Sequence, residues 1–321
     1  MESNKPRRIG YYMSQSKLAR LPWAEITAIA LAKGCELVAV DLERDIAEQG
    51  PFDMLLYKVT DELVRGDDEK QQRKIANLEA YLASQQGKLI DAEPISKQRA
   101  IIDRQGISSL LVDVERQLPQ ALQAQIRSPR YAILAQKADD YSAALAAEEV
   151  HFPAIVKTIQ ACGSAASHEM GIVFQEKDLH AFELPLLVQE YYNHDAVVFK
   201  IFAVRDEVYI VRRPSLRNMG DDETTCITFN SQEPLPSTLF DKSFDVQDRA
   251  RLADPPLDTV KHVAGALSAT LGLSLLGFDM VTNTKTGQHA VIDVNYFPGY
   301  SGTPNFPELF VNFLLQRLNE A

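Results

Sequence analysis

The sequence predicts a mixed α/β (α+β) protein with a small parallel α/β domain at its N-terminus. Over roughly the first ninety residues, short apolar strands alternate with helical patterns, an order typical of a parallel sheet covered by helices. From Pro129 onwards strands follow one another more closely, and two pairs of them alternate with period two around a short polar turn. The length of 321 residues suggests two domains, or three small ones.

The N-terminal elements follow from local signals in the sequence. Apolar runs predict strands over residues 8–13, 35–42, 52–59 and 88–91. A first helix opens around Pro22 and ends at Gly34, because glycine tolerates the left-handed conformation that closes many helices. A second helix is predicted over residues 67–86, whose apolar side chains recur at helical spacing.

The rest of the chain is predicted to hold more strands than helices. A helix begins at Pro94 and runs towards Leu118, and the polar segment 120–130 is interpreted as a linker. Strands are predicted over residues 131–134, 152–159, 170–175 and 184–192, with an alanine-rich helix over residues 138–148. Hairpins turn at residues 205–206 and 286–287, a long loop covers residues 229–252, and helices cover residues 255–271 and 308–318.

The composition argues against several classes of protein. Lysine and arginine number 33 against 44 aspartate and glutamate residues, and the net charge of -11 disfavours nucleic acid or an anionic membrane as partner. Cys35, Cys162 and Cys226 are too few and too far apart for a disulfide framework, which indicates a reducing compartment. The N-terminus lacks the apolar run of a signal peptide, and no stretch reaches the ~18 apolar residues of a membrane span. We therefore expect a soluble, intracellular and cytoplasmic protein.

The last predicted hairpin carries the sharpest chemical signal. Asp279 lies in its first strand, and Asp293 and Asn295 lie two residues apart in its second strand, so all three can share one face. Two carboxylates and an amide oxygen are hard ligands, well suited to Mg²⁺ that is bound together with phosphates. The alternative is that they are solvated polar positions of an amphipathic strand. The apolar residues around them favour a buried setting, in which acidic groups need a partner.

A glycine-bearing loop, residues 163–168, is the second candidate site. Its small residues let backbone N–H groups approach an anion, and Lys157 on the preceding strand is a natural phosphate ligand. An ordinary surface turn is the alternative interpretation. The GxGxxG and GxxxxGK[ST] patterns are both absent, so a nucleotide would have to be held in another way.

Basic residues within apolar strands are the third signal. Lys58, Lys157, Lys200 and Arg213 all occupy strand positions, where a single lysine usually lies on the solvated face. Four such residues in a chain of net charge -11 favour a shared anionic ligand.

Several segments run through nearly the whole chain in order: IGYYMSQSKL, FDMLLYKVTD, IIDRQ, GSAASHEM, VQEYYNHDAVVFKIF, RRPSL, TFNS, and GFD followed by GQHAVIDVNYFPGY. In these segments the chain resembles the inositol tris/tetrakisphosphate kinases (the inositol 1,3,4-trisphosphate 5/6-kinase family), which have the ATP-grasp fold. The resemblance implies an N-terminal α/β inositol-phosphate-binding domain over residues 1–93. It also implies a central ATP-grasp domain over residues 94–188 and a C-terminal ATP-grasp domain with the metal site over residues 189–321.

The resemblance also implies a role for individual residues. Those implied to contact the inositol phosphate are Lys17, Lys58, His168, Lys200, Arg213, Asn295 and Gly299, with His168 and Lys200 as the catalytic pair at the point of transfer. Those implied to bind ATP are Arg104, Lys157, Gln189, Glu190, Tyr191, Lys200, Ser215 and Ser231, with residues 189–191 as the hinge whose backbone reads adenine. Asp279, Asp293 and Asn295 are implied to ligate two Mg²⁺ ions.

The implied reaction transfers the γ-phosphate of Mg-ATP to a free hydroxyl of an inositol tris- or tetrakisphosphate, as 1,3,4-trisphosphate 5/6-kinases and 3,4,5,6-tetrakisphosphate 1-kinases do. ATP is then the co-substrate, and the protein is expected to be a monomer. His168 is expected to orient the acceptor and stabilise charge, with general-base catalysis as the alternative. Two other functions stay open on the sequence: an ATP-grasp carboxylate–amine ligase and a non-catalytic inositol-phosphate sensor.

Overall fold

The computed structural model describes residues 5–160, 168–231, 233, 239 and 253–320. The strands are β1 Arg7–Tyr12, β2 Cys35–Ala39, β3 Met54–Tyr57, β4 Ile90–Asp91, β5 Ile126–Arg127, β6 Tyr131–Leu134, β7 Ala154–Thr158, β8 Glu169–Val173, β9 Leu186–Glu190, β10 Val197–Val204, β11 Glu207–Pro214, β12 Ile227–Asn230, β13 Leu275–Thr282 and β14 His289–Tyr296. The helices are α1 Gln15–Leu18, α2 Trp23–Ala32, α3 Thr60–Val64, α4 Glu69–Ser84, α5 Ile95–Gln98, α6 Arg104–Gln117, α7 Gln120–Gln123, α8 Ser142–Ala147, α9 Leu257–Leu271 and α10 Phe306–Asn319.

The N-terminal sheet is parallel, with the order β2-β1-β3-β4, which confirms the predicted small parallel α/β domain. Gly34 has a φ of +81° just after the last turn of α2, as expected for a glycine that ends a helix. β2 and β3 lie on opposite sides of β1, so the strand order reverses between β1 and β3. The crevice beside the carboxyl ends of these two strands is the usual ligand site of such a sheet. Lys17 and Lys58 follow these two strand ends.

The helix predicted to run without a break from Pro94 towards Leu118 is wrong. The chain forms α5, then a 3₁₀ turn over Arg99–Ile101, and α6 starts afresh at Arg104. Asp103 causes the break, because its backbone is extended and its carboxylate accepts a hydrogen bond of 2.7 Å from the Gly106 N–H. An aspartate in this position caps a new helix rather than continuing an old one.

The central sheet is antiparallel, with the order β12-β8-β7-β9-β6. Its edge strand β12 overlaps the start of the segment 229–252 that was predicted as a long loop, so that prediction is wrong at its first residues. Most of the remaining segment lies outside the described residues.

The C-terminal sheet has the order β11-β10-β13-β14-β5. Its two hairpins, β10–β11 and β13–β14, turn where the sequence predicts, at residues 205–206 and within residues 283–288. The segment 120–130, predicted as a linker, instead forms α7 and β5, and β5 runs parallel to β14. Ile126 is buried in this strand, so two residues suffice to extend the sheet.

One apolar cluster joins the N-terminal sheet to the C-terminal sheet and includes Ile9, Ile26, Phe278 and Phe310. Within this cluster α10 packs against α2, and α6 packs against α9. Each such buried side chain contributes ~1.5–3 kcal/mol. The shared core holds the carboxyl ends of β1 and β3 against the end of β14, where the candidate site lies. None of the helices in the described ranges has the length and apolar character needed to cross a bilayer.

Candidate active site

A cleft of about 360 Å³ lies where the three sheets meet. It brings together eight of the predicted site residues, namely Lys58, Arg104, Lys157, His168, Ser231, Asp279, Asp293 and Asn295. Apolar side chains, including Ile155, Met170 and Ile292, form part of its wall. Thr60 and Asp61 also line it, and the sequence interpretation missed them. Their position directly after Lys58 at the carboxyl end of a parallel strand was the signal that could have identified them.

The β13–β14 hairpin places the three predicted metal ligands side by side. Asp279 is the register partner of Asp293, and Asn295 lies two residues further along the same face of β14. The Asn295 amide nitrogen donates a hydrogen bond of 2.8 Å to Asp293 Oδ2. This bond turns the amide oxygen of Asn295 away from Asp293, so that it is presented as a separate oxygen donor.

Asp279 is paired with Lys200, which is its register partner on β10. The Lys200 ammonium lies 2.9 Å from Oδ1 and 3.1 Å from Oδ2 of Asp279, and the bond to Oδ2 has hydrogen-bond geometry. Oδ1 is buried and accepts no hydrogen bond from the described residues. Burial raises the pKa of Asp279, Lys200 opposes this shift, and the neighbouring Asp293 carboxylate adds to it. A cation placed between the two carboxylates would relieve the repulsion between them.

Lys157 projects from β7 into the cleft and is only 9% exposed. Its ammonium donates a hydrogen bond of 2.7 Å to Gln189 Oε1, so the side chain of this predicted hinge residue holds the lysine in place. Burial lowers the pKa of Lys157 to about 8; Asp293 opposes the shift and Arg104 adds to it. The site therefore holds a desolvated cation whose hydrogen-bonding capacity is only partly used by Gln189.

We expect the buried Lys157 to make the stability of the fold depend on pH. The folded-state pKa of about 8 lies below the ordinary value of 10.5, so between these values the unfolded chain binds more protons. The free energy of unfolding of the wild type should therefore rise with pH across this window, relative to that of Lys157→Met, by up to about 3 kcal/mol. Urea unfolding of both proteins near pH 7 and near pH 10 measures the change. A difference that stays constant would contradict a buried ammonium.

Arg104, His168 and Ser231 are held by backbone contacts around the cleft. One Arg104 amino group donates to the carbonyls of Thr158 and Gln160, at 2.8 and 2.6 Å, which ties the start of α6 to the end of β7. The Ser231 N–H donates to the His168 carbonyl at 2.8 Å. Burial lowers the pKa of His168, and the nearby Arg104 lowers it further, so the neutral imidazole prevails near pH 7.

Lys17 and Lys58 both point at the backbone that follows β14. The Lys17 amino group donates to the Pro298 carbonyl, and its nitrogen lies 4.1 Å from the centre of the Phe297 ring. The Lys58 ammonium donates to the carbonyls of Tyr296 and Phe297, at 2.6 and 3.3 Å. Burial lowers the pKa of Lys17 to about 6, and the nearby positive charge of Lys58 adds to this shift. Lys17 and Lys58 thus hydrogen-bond to the backbone at the end of β14, the strand that carries Asp293 and Asn295.

The other predicted residues lie around this centre rather than in the cleft lining. Glu190 accepts hydrogen bonds from the Arg130 N–H and the Tyr192 hydroxyl. The Tyr191 hydroxyl donates to the Arg217 carbonyl at 2.7 Å. Three more predicted residues have contacts outside the cleft lining. Ser215 bonds to His194, Arg213 donates to the Ser301 carbonyl, and Gly299 lies next to Arg20. The His194 partner of Ser215 was not predicted, although the predicted β10–β11 hairpin brings the segment before β10 beside the residue that follows β11.

Comparison with known families decides what kind of protein carries this site. A family model described as the inositol 1,3,4-trisphosphate 5/6-kinase ATP-grasp domain matches residues 121–316, and one described as the pre-ATP-grasp domain of the same kinase matches residues 8–94. The chain belongs to the inositol 1,3,4-trisphosphate 5/6-kinase family. The predicted family is confirmed, and the chain is an enzyme of the kinase class that uses ATP.

Relatives of this kinase family align with nearly the whole chain. The inositol-tetrakisphosphate 1-kinase of Xenopus laevis is 32% identical over 331 aligned positions, which cover 99% of this chain and 81% of the relative. The inositol-tetrakisphosphate 1-kinase of Danio rerio is 31% identical, with coverage of 94% and 76%.

Solved structures with low sequence identity confirm the ATP-grasp fold that the resemblance implied. The ATP-grasp ligase PsnB, complexed with a phosphomimetic variant of its minimal precursor, Mg and ADP, superimposes with a TM-score of 0.61 at 15% identity, covering 99% of each chain. The D-alanine–D-alanine ligase of Bacillus anthracis superimposes with a TM-score of 0.57 at 16% identity, covering 98% of this chain and 96% of the ligase. At these identities the likeness concerns the fold alone.

The donor set of this family member suits magnesium. Two carboxylates and an amide oxygen on one face are hard donors, and the buried Oδ1 of Asp279 accepts no hydrogen bond from the described residues beyond its ion pair with Lys200. In the described part of the chain no three His, Cys, Asp or Glu side chains gather into a metal cluster. Asp279, Asp293 and Asn295 would account for part of an octahedral shell, and nucleotide phosphates and water usually supply the rest around Mg²⁺.

Proposed function

We propose that the cleft binds Mg-ATP and an inositol tris- or tetrakisphosphate and transfers the γ-phosphate to a free hydroxyl of the latter. By its family, the chain is an ATP-dependent inositol polyphosphate kinase. The observation that carries the proposed mechanism is the meeting of Asp279 and Asp293 with Lys157 and His168 in one cleft. The specific activities proposed are those of a 1,3,4-trisphosphate 5/6-kinase and a 3,4,5,6-tetrakisphosphate 1-kinase.

Magnesium would be held by Asp279, Asp293 and Asn295, and we propose two ions. When bound, the metal neutralises charge on the nucleotide phosphates and aligns them for in-line transfer. Lys200 would stay next to Asp279 and neutralise the charge of that carboxylate. Because the Lys200 side chain is one-third exposed, its ammonium can also contact the transferring phosphate.

The nucleotide phosphates would lie between Lys157 and Arg104, which place fixed positive charge in a desolvated setting. The hinge of residues 189–191, with Ser215 and Ser231, would hold the nucleoside. The neutral His168 would orient the attacking hydroxyl and donate a hydrogen bond to the transferring group. A loose transition state requires little prior deprotonation of the hydroxyl, so a strong general base is not needed.

The acceptor would be held by the cations at the end of the N-terminal sheet. Lys17 and Lys58 converge there, with Asn295 and Gly299 on the neighbouring segment and Arg213 beyond it. The net charge of -11 would repel long polyanions, while this local cluster attracts a small one. We accordingly propose a cytoplasmic monomer with no nucleic-acid or membrane partner.

A substrate panel tests the proposed function. Mg-ATP is offered with each of the inositol tris- to hexakisphosphates, and the products are resolved by ion-exchange chromatography. The expected result is ADP together with an inositol phosphate that carries one more phosphate. Release of ADP with a carboxylate and an amine, in the absence of inositol phosphate, would identify a ligase instead. Binding of both substrates at saturating Mg²⁺ without turnover would identify a sensor.

Binding of the acceptor is expected to take up a proton at Lys17. Its pKa of about 6 leaves the free amine neutral at neutral pH, and an adjacent phosphate would raise that pKa strongly. Calorimetric titration with the acceptor in buffers of different ionisation enthalpy should show uptake of about one proton near pH 7.5. Lys17→Met should lose this uptake, whereas Lys70→Met, on the surface of α4, should keep it. Equal uptake by Lys17→Met and the wild type would contradict the assignment.

A further inference from the structure

His194 and Ser215 meet at the junction between the central and C-terminal sheets. His194 belongs to the segment that joins β9 to β10, and Ser215 directly follows β11. The imidazole is 6% exposed, while Ser215 is only half-buried and is accessible from one side. The sequence showed no reason to pair these two residues, and the mechanism above uses only the serine.

The proton positions in this pair follow from its partners. Nδ1 of His194 lies 2.6 Å from the Tyr192 carbonyl oxygen, which can only accept, so Nδ1 carries the proton. Burial lowers the pKa of His194, which keeps the ring neutral near pH 7 and leaves Nε2 as an acceptor. Nε2 lies 2.8 Å from Ser215 Oγ, so the serine hydroxyl donates its proton to the ring. Only the lone pairs of Ser215 Oγ then remain for a ligand.

Hydrogen bonds between residues 193–194 and residues 218–219 hold the His194–Ser215 pair beside the proposed hinge, residues 189–191. The Asn193 side chain donates to the Met219 carbonyl at 2.9 Å and accepts from the Met219 N–H at 2.8 Å. The His194 N–H donates to Asn218 Oδ1 at 2.9 Å. The residues after β11 are thereby fastened to the segment that follows residues 189–191, which is where the nucleoside is proposed to bind.

We propose that His194 is a positioning residue that fixes the Ser215 hydroxyl as a hydrogen-bond acceptor for a donor group of the bound nucleotide. The donor is an O–H or N–H group: a ribose hydroxyl or the 6-amino group of adenine. The proposal rests on the proposed nucleotide site, and it adds that Ser215 Oγ accepts the hydrogen bond and the nucleotide donates it. A ligand that presents only an acceptor at this position leaves two acceptors facing each other, so the pair selects between nucleotides.

Direct binding measurements test the role of His194. The dissociation constant of Mg-ATP is measured by calorimetry for the wild type, Ser215→Ala, His194→Phe and the double variant. Each single variant is expected to bind ~10-fold more weakly, and the double variant no more than ~2-fold more weakly than either, because both remove one interaction. His194→Gln, whose amide oxygen can accept from Ser215, is expected to stay within ~3-fold of the wild type.

Nucleotide analogues identify the donor group. The wild type and Ser215→Ala are titrated with 2′-deoxy-ATP, 3′-deoxy-ATP and purine riboside triphosphate, each of which lacks one donor. The analogue that lacks the relevant donor should bind the wild type ~10-fold more weakly than ATP does. It should bind Ser215→Ala as tightly as it binds the wild type, while the other two should follow ATP.

Several results would overturn the proposal. These are unchanged ATP affinity in His194→Phe, a double variant ~100-fold weaker than the wild type, or an Ser215→Ala loss that is the same for all three analogues. If His194→Phe does not fold, the analogue titrations of Ser215→Ala still decide. Ser84→Ala and His262→Phe are the controls, because the Ser84 hydroxyl bonds at the end of α4 and the His262 ring bonds to Asp258 within α9, both away from the site. Binding needs no turnover, so an inactive protein that shows the predicted coupling would refute the proposed kinase function alone.

Discussion

Asp293→Asn is expected to lower kcat by at least ~10²–10³-fold while the protein stays folded. The substitution removes one of two carboxylates that face each other on β13 and β14, and with it half of the formal negative charge of the proposed metal ligands. The carboxamide keeps the size of the side chain and can still accept a hydrogen bond from Asn295. The affinity for Mn²⁺ in the presence of ATP, measured by electron paramagnetic resonance, should fall in parallel.

The stability of Asp293→Asn provides a second, independent signature. Neutralising Asp293 removes its repulsion of Asp279 and also its attraction to the Lys157 ammonium; because the two effects oppose each other, the melting temperature should change little. Asp113→Asn is the matched control, because that carboxylate pairs with Arg116 on the surface of α6. Near-normal activity of Asp293→Asn would refute the metal assignment. Low activity accompanied by a lower melting temperature would attribute the loss to misfolding.

Lys157→Met is expected to lower kcat/KM for ATP by ~10²-fold or more, mainly through a higher KM. Methionine fills a similar volume in β7 but carries no charge, so the nucleotide phosphates lose a desolvated cation. Because an ammonium is costly to bury, the variant should be as stable as the wild type at neutral pH, although Gln189 loses its partner.

Steady-state kinetics at varied ATP, with the acceptor saturating, separates the two parameters for Lys157→Met. Lys33→Met is the control, since the ammonium of that lysine bonds to Glu308 and Asn312 on the surface of α10. An unchanged KM for ATP in Lys157→Met would place the phosphates elsewhere. A rise in KM for the acceptor alone would mean that Lys157 contacts the inositol phosphate instead.

The fold could be predicted where neighbouring residues decide it. The β13–β14 hairpin and the close of α2 at Gly34 depend on turn chemistry and local periodicity, and both occur as expected. The wrong predictions concern a strand that depends on a distant partner and a helix boundary set by a capping side chain. β5 consists of two residues that gain a partner only when β14 lies beside them, so the polar segment around it resembles a linker. Asp103 ends one helical run by capping the next, a signal that an apolar pattern hides.

The contacts of the candidate site could likewise be predicted only where residues close in sequence decide them. Asp279, Asp293 and Asn295 could be predicted to meet because one hairpin joins them. The bond from Lys17 to the Pro298 carbonyl spans 281 positions, and no spacing rule covers it, since it depends on how whole elements pack. The bond from Ser215 to His194 joins the residues just outside the open end of the β10–β11 hairpin, and its geometry depends on the loops there. The domain boundaries at residues 93 and 188 stay a prediction. β5 pairs in a sheet whose other strands all follow residue 188, β12 pairs in a sheet whose other strands all begin before it, and β9 spans it.

The sequence by itself determined the family, the small parallel N-terminal domain, the hairpin that carries the proposed metal ligands, and which basic residues are proposed to surround that hairpin. Only the tertiary structure decided which of those cations share a cleft, that Lys157 and Lys17 are desolvated, and that a histidine orients Ser215. The physical reason is that residue type and spacing encode local geometry, whereas burial and proton positions depend on distant segments brought together by a common core.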